Sequence, residues 1–245
     1  MSTVPDPTSQ LLAEVARIEA ELKPSRHRFF AALAGDAGRA VRDPAVLTEL
    51  YTRYQSAMHA TRVMVYHLPH LDRPSLRVRK VRIYVDDDAL AGGETHHSQL
   101  RDAFTRFGAR IDAADDDARF GALPALEETL DPGTRAFVRL ARELYPKTLG
   151  PWCAVETLSD NWLHAFADGL ARHLPGLQDE AYFADCFLGD VEHRHGQESL
   201  AVTSLVLRER PELLDETVEG AWAMARGLNA LWDALDAVLT PAPSA

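Results

Sequence analysis

The chain has 245 residues, enough to bury a sizeable core, and its 46% hydrophobic and 26% charged residues exclude a disordered composition. A net charge of −11, with basic residues gathered only at Arg77-Val78-Arg79-Lys80-Val81-Arg82, argues against nucleic acid or an anionic membrane as main partner. Cys153 and Cys186 form no disulfide framework or CxxC pair. No N-terminal signal-like stretch occurs and no run approaches the ~18 apolar residues of a bilayer span, so a soluble, cytoplasmic protein is expected.

From Ser9 to Leu22, Leu11, Leu12, Val15, Ile18 and Leu22 recur at steps of three and four, the stripe of an amphipathic helix. Phe29, Phe30 and Leu33 begin a short helix that Gly35 ends. A long helix follows Pro44 and stops near Pro69. Pro74 opens the next at its first turn and carries it to Asp86-Asp87-Asp88, with the basic run as a solvated face. Another helix starts at Glu94 and reaches Gly108. The acidic stretch Asp112 to Asp117, with Gly121 and Pro124, reads as a solvated linker. Further helices are predicted at about Thr134–Leu144, Gly150–Leu174, Asp179–Glu209 and Pro211–Leu239, and residues 241–245 form a fraying tail. With no alternating strand pattern and no repeat, the fold class is all-α. A single helical domain over 1–245 is expected, residues 1–43 forming its N-terminal helices.

Three spots could carry chemistry, two of them holding some of the ten histidines. Glu94 and His97 stand three apart and share a helix face, the spacing that lets two side chains hold one metal. The competing reading is a first-turn Glu favoured by the helix dipole, followed by surface histidines. Glu156 lies among Trp152, Val155, Leu163 and Phe166, at the edge of a core face. There a carboxylate must be paired, protonated, metal-bound or able to reach solvent. Asp190 and His193 form the third pair, with Cys186 a turn earlier and Gln197 a turn later. Glu192 and His195 have the same spacing on another face, and only one pair can face the interior. Tyr182, Phe183, Phe187 and Val191 flank the Asp190/His193 line better, so that pair is predicted to point inward. Two carboxylate/His pairs and a lone Glu on a helix between them are how bundles build dinuclear iron sites: carboxylates neutralise the metals and imidazoles suit iron.

Three stretches resemble the heme-oxygenase-like diiron oxidases and oxygenases: Asp86 to Leu100 (with Glu94-Thr-His-His97), Ala154-Val-Glu156, and Asp190-Val-Glu-His193. The resemblance spans roughly residues 45 to 235. It implies a heme-oxygenase-like bundle of about seven core helices, preceded by short N-terminal ones. Carried over residue by residue, it implies iron ligands at Glu94, His97, Glu156, Asp190 and His193. Where the family has a further histidine, this chain has Cys186, and Asp87 and Asp88 are alternatives to Glu94. The resemblance further implies two Fe ions, O2 as co-substrate, an amino-acid-like metabolite as substrate, and an electron donor. The activity implied is N-oxygenation, desaturation or oxidative C–C cleavage in natural-product biosynthesis, with a homodimer one assembly open to it.

Three rival readings remain. A ferritin-like diiron protein would use Glu94/His97 and Glu192/His195 and needs an earlier Glu, of which Glu49 is the nearest. A metal-free thiaminase-like hydrolase of the same fold would need Cys153 or Cys186 as nucleophile. A helical interaction protein would use its histidines only for packing.

Overall fold

The computed structural model describes residues 6–88, 95–120, 123–187 and 191–240, without the side chains of 83–88, 123–125 and 185–187. Among the described residues all regular structure is helical and there is no strand. The helices are α1 (Pro7–Glu21), α2 (Arg28–Ala34), α3 (Pro44–Val65), α4 (Pro74–Asp88), α5 (His96–Arg106), α6 (Ala113–Phe120), α7 (Leu123–Thr129), α8 (Pro132–Leu144), α9 (Gly150–Ala171), α10 (Ala181–Phe187), α11 (Val191–Glu209) and α12 (Leu214–Leu239). None is long and apolar enough to cross a membrane.

Three helices begin with the same dipeptide. Asp6-Pro7, Asp43-Pro44 and Asp131-Pro132 place an aspartate at the N-cap and a proline in the first turn. Each aspartate accepts from a backbone N–H two or three residues on, and each proline sits where no N–H is needed.

The central element is α9, most of whose residues are buried. Helices α1, α2, α11 and α12 pack around it, while α3 and α8 close over α12. One apolar cluster joins Leu11 of α1 to Leu239 of α12, so the N-terminal helices belong to the main core. At its centre Trp232 stacks on Phe29 at 6.3 Å between ring centroids and meets Phe30 edge-on at 5.1 Å. Phe166 stacks on Tyr54 at 4.6 Å. Large rings in offset and edge contacts contribute both buried area and geometric preference.

Small residues set how closely the helices approach. A Cβ on Gly150 would overlap the Thr217 carbonyl oxygen, and one on Gly220 would lie 2.5 Å from Thr148 Cγ2. The start of α9 therefore crosses α12 nearly backbone to backbone.

Two expectations change. The Asp112–Asp117 stretch is not a linker: Asp112 accepts from the Asp115 N–H at 3.0 Å and α6 runs on to Phe120, with Asp116 buried. The single helix expected over Asp179–Glu209 is described as α10 and α11, and residues 188–190 lie outside the described residues. The tail 241–245 lies outside them too.

Candidate metal site

Of the five expected ligands, Glu94 and Asp190 lie outside the described residues, as do the side chains of Asp87, Asp88 and Cys186. The other three fall in three different surroundings.

Glu156, midway along α9, is buried at 8% exposure. Its Oε1 accepts from the Trp152 indole N–H at 3.1 Å, one turn earlier on the same helix. Its partners across the helix interface are Glu192 and His195 of α11, both buried. One ligand atom from each of the three lies within 4.8 Å of the others, and His195 Nδ1 stands 4.0 Å from Glu156 Oε2. Gly196 brings the two helices this close, for a Cβ there would stand 3.0 Å from the Glu156 carbonyl oxygen.

His193 instead is exposed, with Gln197 Nε2 2.8 Å from its Nε2. On α11 the buried residues are Glu192, His195, Gly196, Ser199, Val202, Thr203, Ser204, Val206 and Leu207, and all but Ser204 form a stripe at steps of three and four. Extended backwards from Val206, that stripe passes through Glu192 and His195. The expectation for Asp190/His193 carried the phase of Tyr182 and Phe183 forward, but those residues belong to α10, whose phase need not continue into α11.

His97 stands in a separate cluster. Its Nε2 is 2.9 Å from Asp116 Oδ2, its Nδ1 is in contact with Gln55 Nε2, and Tyr51 Oη donates to the same Asp116 oxygen at 2.8 Å. Asp117, beside them, pairs with Arg101 at 2.8 Å. Both ring nitrogens of His97 are thus engaged by protein groups. Burial and the Asp116 charge raise the Tyr51 phenol far above its ordinary value, so it stays a donor. Asp116→Ala, which strands the phenol and His97, should cost about 1–3 kcal/mol in urea unfolding. An unchanged midpoint would remove this network from the stability of the fold.

His96, the neighbour of His97, turns into the protein. It is 6% exposed and meets the Tyr182 ring edge-on at 5.5 Å between centroids. Burial first, then Arg62 and His195, push its pKa down to about 3, so its imidazole is neutral. With Glu156, Glu192, Tyr54, Arg62 and Tyr182 it lines a small cavity of ≈ 60 Å³. Tyr54 and Tyr182 face each other there, with hydroxyls 3.3 Å apart.

Desolvation, then the neighbouring Glu192, push the Glu156 carboxyl up to about 8, against the pull of the Trp152 hydrogen bond. Two buried carboxylates this close need a shared proton or a cation between them. A divalent ion fits the donor set. Two atoms each ~2.1 Å from one ion stand between about 3 and 4.2 Å apart, a range that includes the Glu156–His195 separation. Carboxylate with neutral imidazole is a set that suits iron.

Cys153 offers no nucleophile. It is fully buried, with Sγ 2.9 Å from Thr203 Oγ1 and 3.7 Å from the Ser199 carbonyl, and burial raises its thiol to about 12. Glu49 is 49% exposed, pairs with Arg53 and does not line the cavity beside Glu156.

Compared with known proteins, the chain matches no family model and no curated protein.

Proposed function

We propose that the protein is a non-heme iron oxidase or oxygenase whose metal is held by Glu156, Glu192 and His195. The observation that carries this reading is the buried meeting of two carboxylates and an imidazole across the α9–α11 interface. The resemblance to heme-oxygenase-like diiron enzymes supplies iron as the metal and supports a bundle of that type. A second iron would be held by the same carboxylates together with His96, whose neutral ring lines the same cavity.

Iron(II) bound there would supply a centre able to reduce and activate dioxygen. The chain's own residues prepare the place. The Trp152 N–H fixes one oxygen of Glu156 and leaves Oε2 turned toward His195. Tyr54, Trp162 and Leu163 line the cavity with buried rings and methyls. At ≈ 60 Å³ that cavity has room for a diatomic or a few waters.

The test is anaerobic Fe(II) titration of the wild type, Glu192→Gln and His195→Ala, followed by O2 uptake of the loaded proteins. Each substitution should weaken Fe(II) binding about 100-fold or more and abolish uptake, since each removes a direct ligand. Wild-type protein that retains no iron, or variants that bind it as tightly, would discard the reading.

A further inference from the structure

Helix α4 turns apolar side chains outward. Leu76 is buried on its inner side, where α4 packs on α11 and α5. Val78 and Val81, three apart on the opposite side, are 66% and 48% exposed. Lys80 Nζ donates to the Tyr66 carbonyl oxygen at 3.4 Å, which holds the end of α3 beside α4. Tyr66 is exposed as well, so three of the four exposed large hydrophobics among the described residues lie on α4 or next to it. Apolar side chains gathered in this way mark an interaction surface.

Charge is divided along the same helix. From Arg73 to Arg82 the sequence has five cations and no carboxylate, and Asp86-Asp87-Asp88 closes α4. Arg73 pairs with Glu209, Arg77 with Asp72 at 3.5 Å and Arg79 with Glu198 at 3.5 Å. Among the described residues Arg82 has no carboxylate within 4 Å. The three pairs are solvent-exposed, so exchanging one carboxylate partner for another costs little. An anionic membrane or nucleic acid laid along the helix would meet the three aspartates. A second copy of α4, run in the opposite direction, matches both ends.

We propose that α4 is the contact of a homodimer, in which the helices of two protomers lie antiparallel across a two-fold axis near Val81. Val78 and Val81 of one protomer pack on those of its partner. The turn from Arg73 to Arg77 lies beside the Asp86–Asp88 turn of the partner subunit, and the symmetry repeats that pairing at the other end. The contact is isologous, so the assembly closes at two. Helices of 15 residues are ~22 Å long, and a pair of them covers less than a standard interface, so the affinity is micromolar. The contact needs no metal, and α4 carries none of Glu156, Glu192 and His195, so it stands or falls apart from the iron reading.

Sedimentation velocity of the full-length metal-free protein, from about 1 to 300 μM, should show a reversible monomer–dimer equilibrium. Val78→Lys with Val81→Lys should weaken it about tenfold or more while leaving the helical circular dichroism unchanged, because both positions are exposed. Leu12→Lys, exposed on α1, should leave it within about twofold. Arg73→Asp with Arg77→Asp, and separately Asp87→Lys with Asp88→Lys, should each weaken it, since each sets like charges opposite one another. Mixing those two variants in equal amounts should restore the dimer, because the antiparallel arrangement then brings opposite charges together at both ends. A monomer at every concentration, a dimer untouched by the valine substitutions, species that grow beyond two, or charge variants that do not recover on mixing each overturn the proposal. A monomer that instead co-sediments with phosphatidylserine vesicles, and loses this with the valine substitutions, assigns the face to a membrane.

Discussion

Gly150→Ala should destabilise the protein by about 3 kcal/mol or more, enough to lower its thermal midpoint by several degrees or prevent folding. The added Cβ would overlap the Thr217 carbonyl oxygen and lie 2.5 Å from the Ala221 backbone nitrogen. Both are backbone atoms in the opening turns of α12, so no rotamer change relieves the overlap and the helices must separate. Separation opens the α9–α12 interface that buries Trp162 against Trp232. Gly220→Ala at the same crossing should cost less, because its nearest obstacle is the terminal methyl of Thr148. Urea unfolding of both variants checks the order. A Gly150→Ala protein as stable as wild type would mean that the two helices do not cross at this depth.

Much of this architecture is legible in the sequence because its causes are local. The Asp-Pro pairs announce three helix starts through a cap and a permitted proline. Gly220, Gly227 and Ala234 are seven apart on α12, and the last two meet Leu140 and Gly133 of α8. Glu156 is visible as a carboxylate at the edge of an apolar helix face. What stays hidden is what depends on distant partners. Asp116 looks like one member of an acidic run, and its role comes from Tyr51, sixty-five residues away. Glu192 and His195 have the same spacing as Asp190 and His193, so the choice between them rests on helical phase alone. The stripe from Ser199 to Val206 carries that phase, but the aromatic residues before Val191 belong to another helix and suggest a different one. His96 is masked for a related reason: beside His97, it gains its meaning only from Tyr182 and His195 across the interior.

The metal-free protein should lose stability as pH rises from about 6.5 to 8, and Glu156→Gln should remove that loss. Glu156 has its pKa raised in the folded state, from the ordinary 4.5 to about 8, by desolvation and then by Glu192. Within that interval the folded chain keeps a proton that the unfolded chain has released, so raising the pH favours unfolding. Burial has the opposite consequence for His96 and His59, whose pKa values fall to about 3 and about 4. Their unfolded forms hold the extra proton, still half bound at pH 6.5, so they add stability as pH rises through 6.5 and little beyond about 7.5. The difference between wild type and Glu156→Gln, which share both histidines, therefore isolates Glu156 from them. The Glu156 share is ~1.4 kcal/mol per pH unit at the start of that window and half as much at its end, about 1.5 kcal/mol in all. Fe(II), added anaerobically, should reverse the slope, because a cation between Glu156 and Glu192 replaces the proton and binds better as pH rises. The measurement is urea unfolding at pH 6.5, 7.2 and 8 for wild type and Glu156→Gln, each with and without Fe(II). A wild type whose slope without metal equals that of Glu156→Gln would mean that Glu156 is already ionised beside Glu192. A slope that Fe(II) leaves unchanged would mean that the pair holds its proton and no ion.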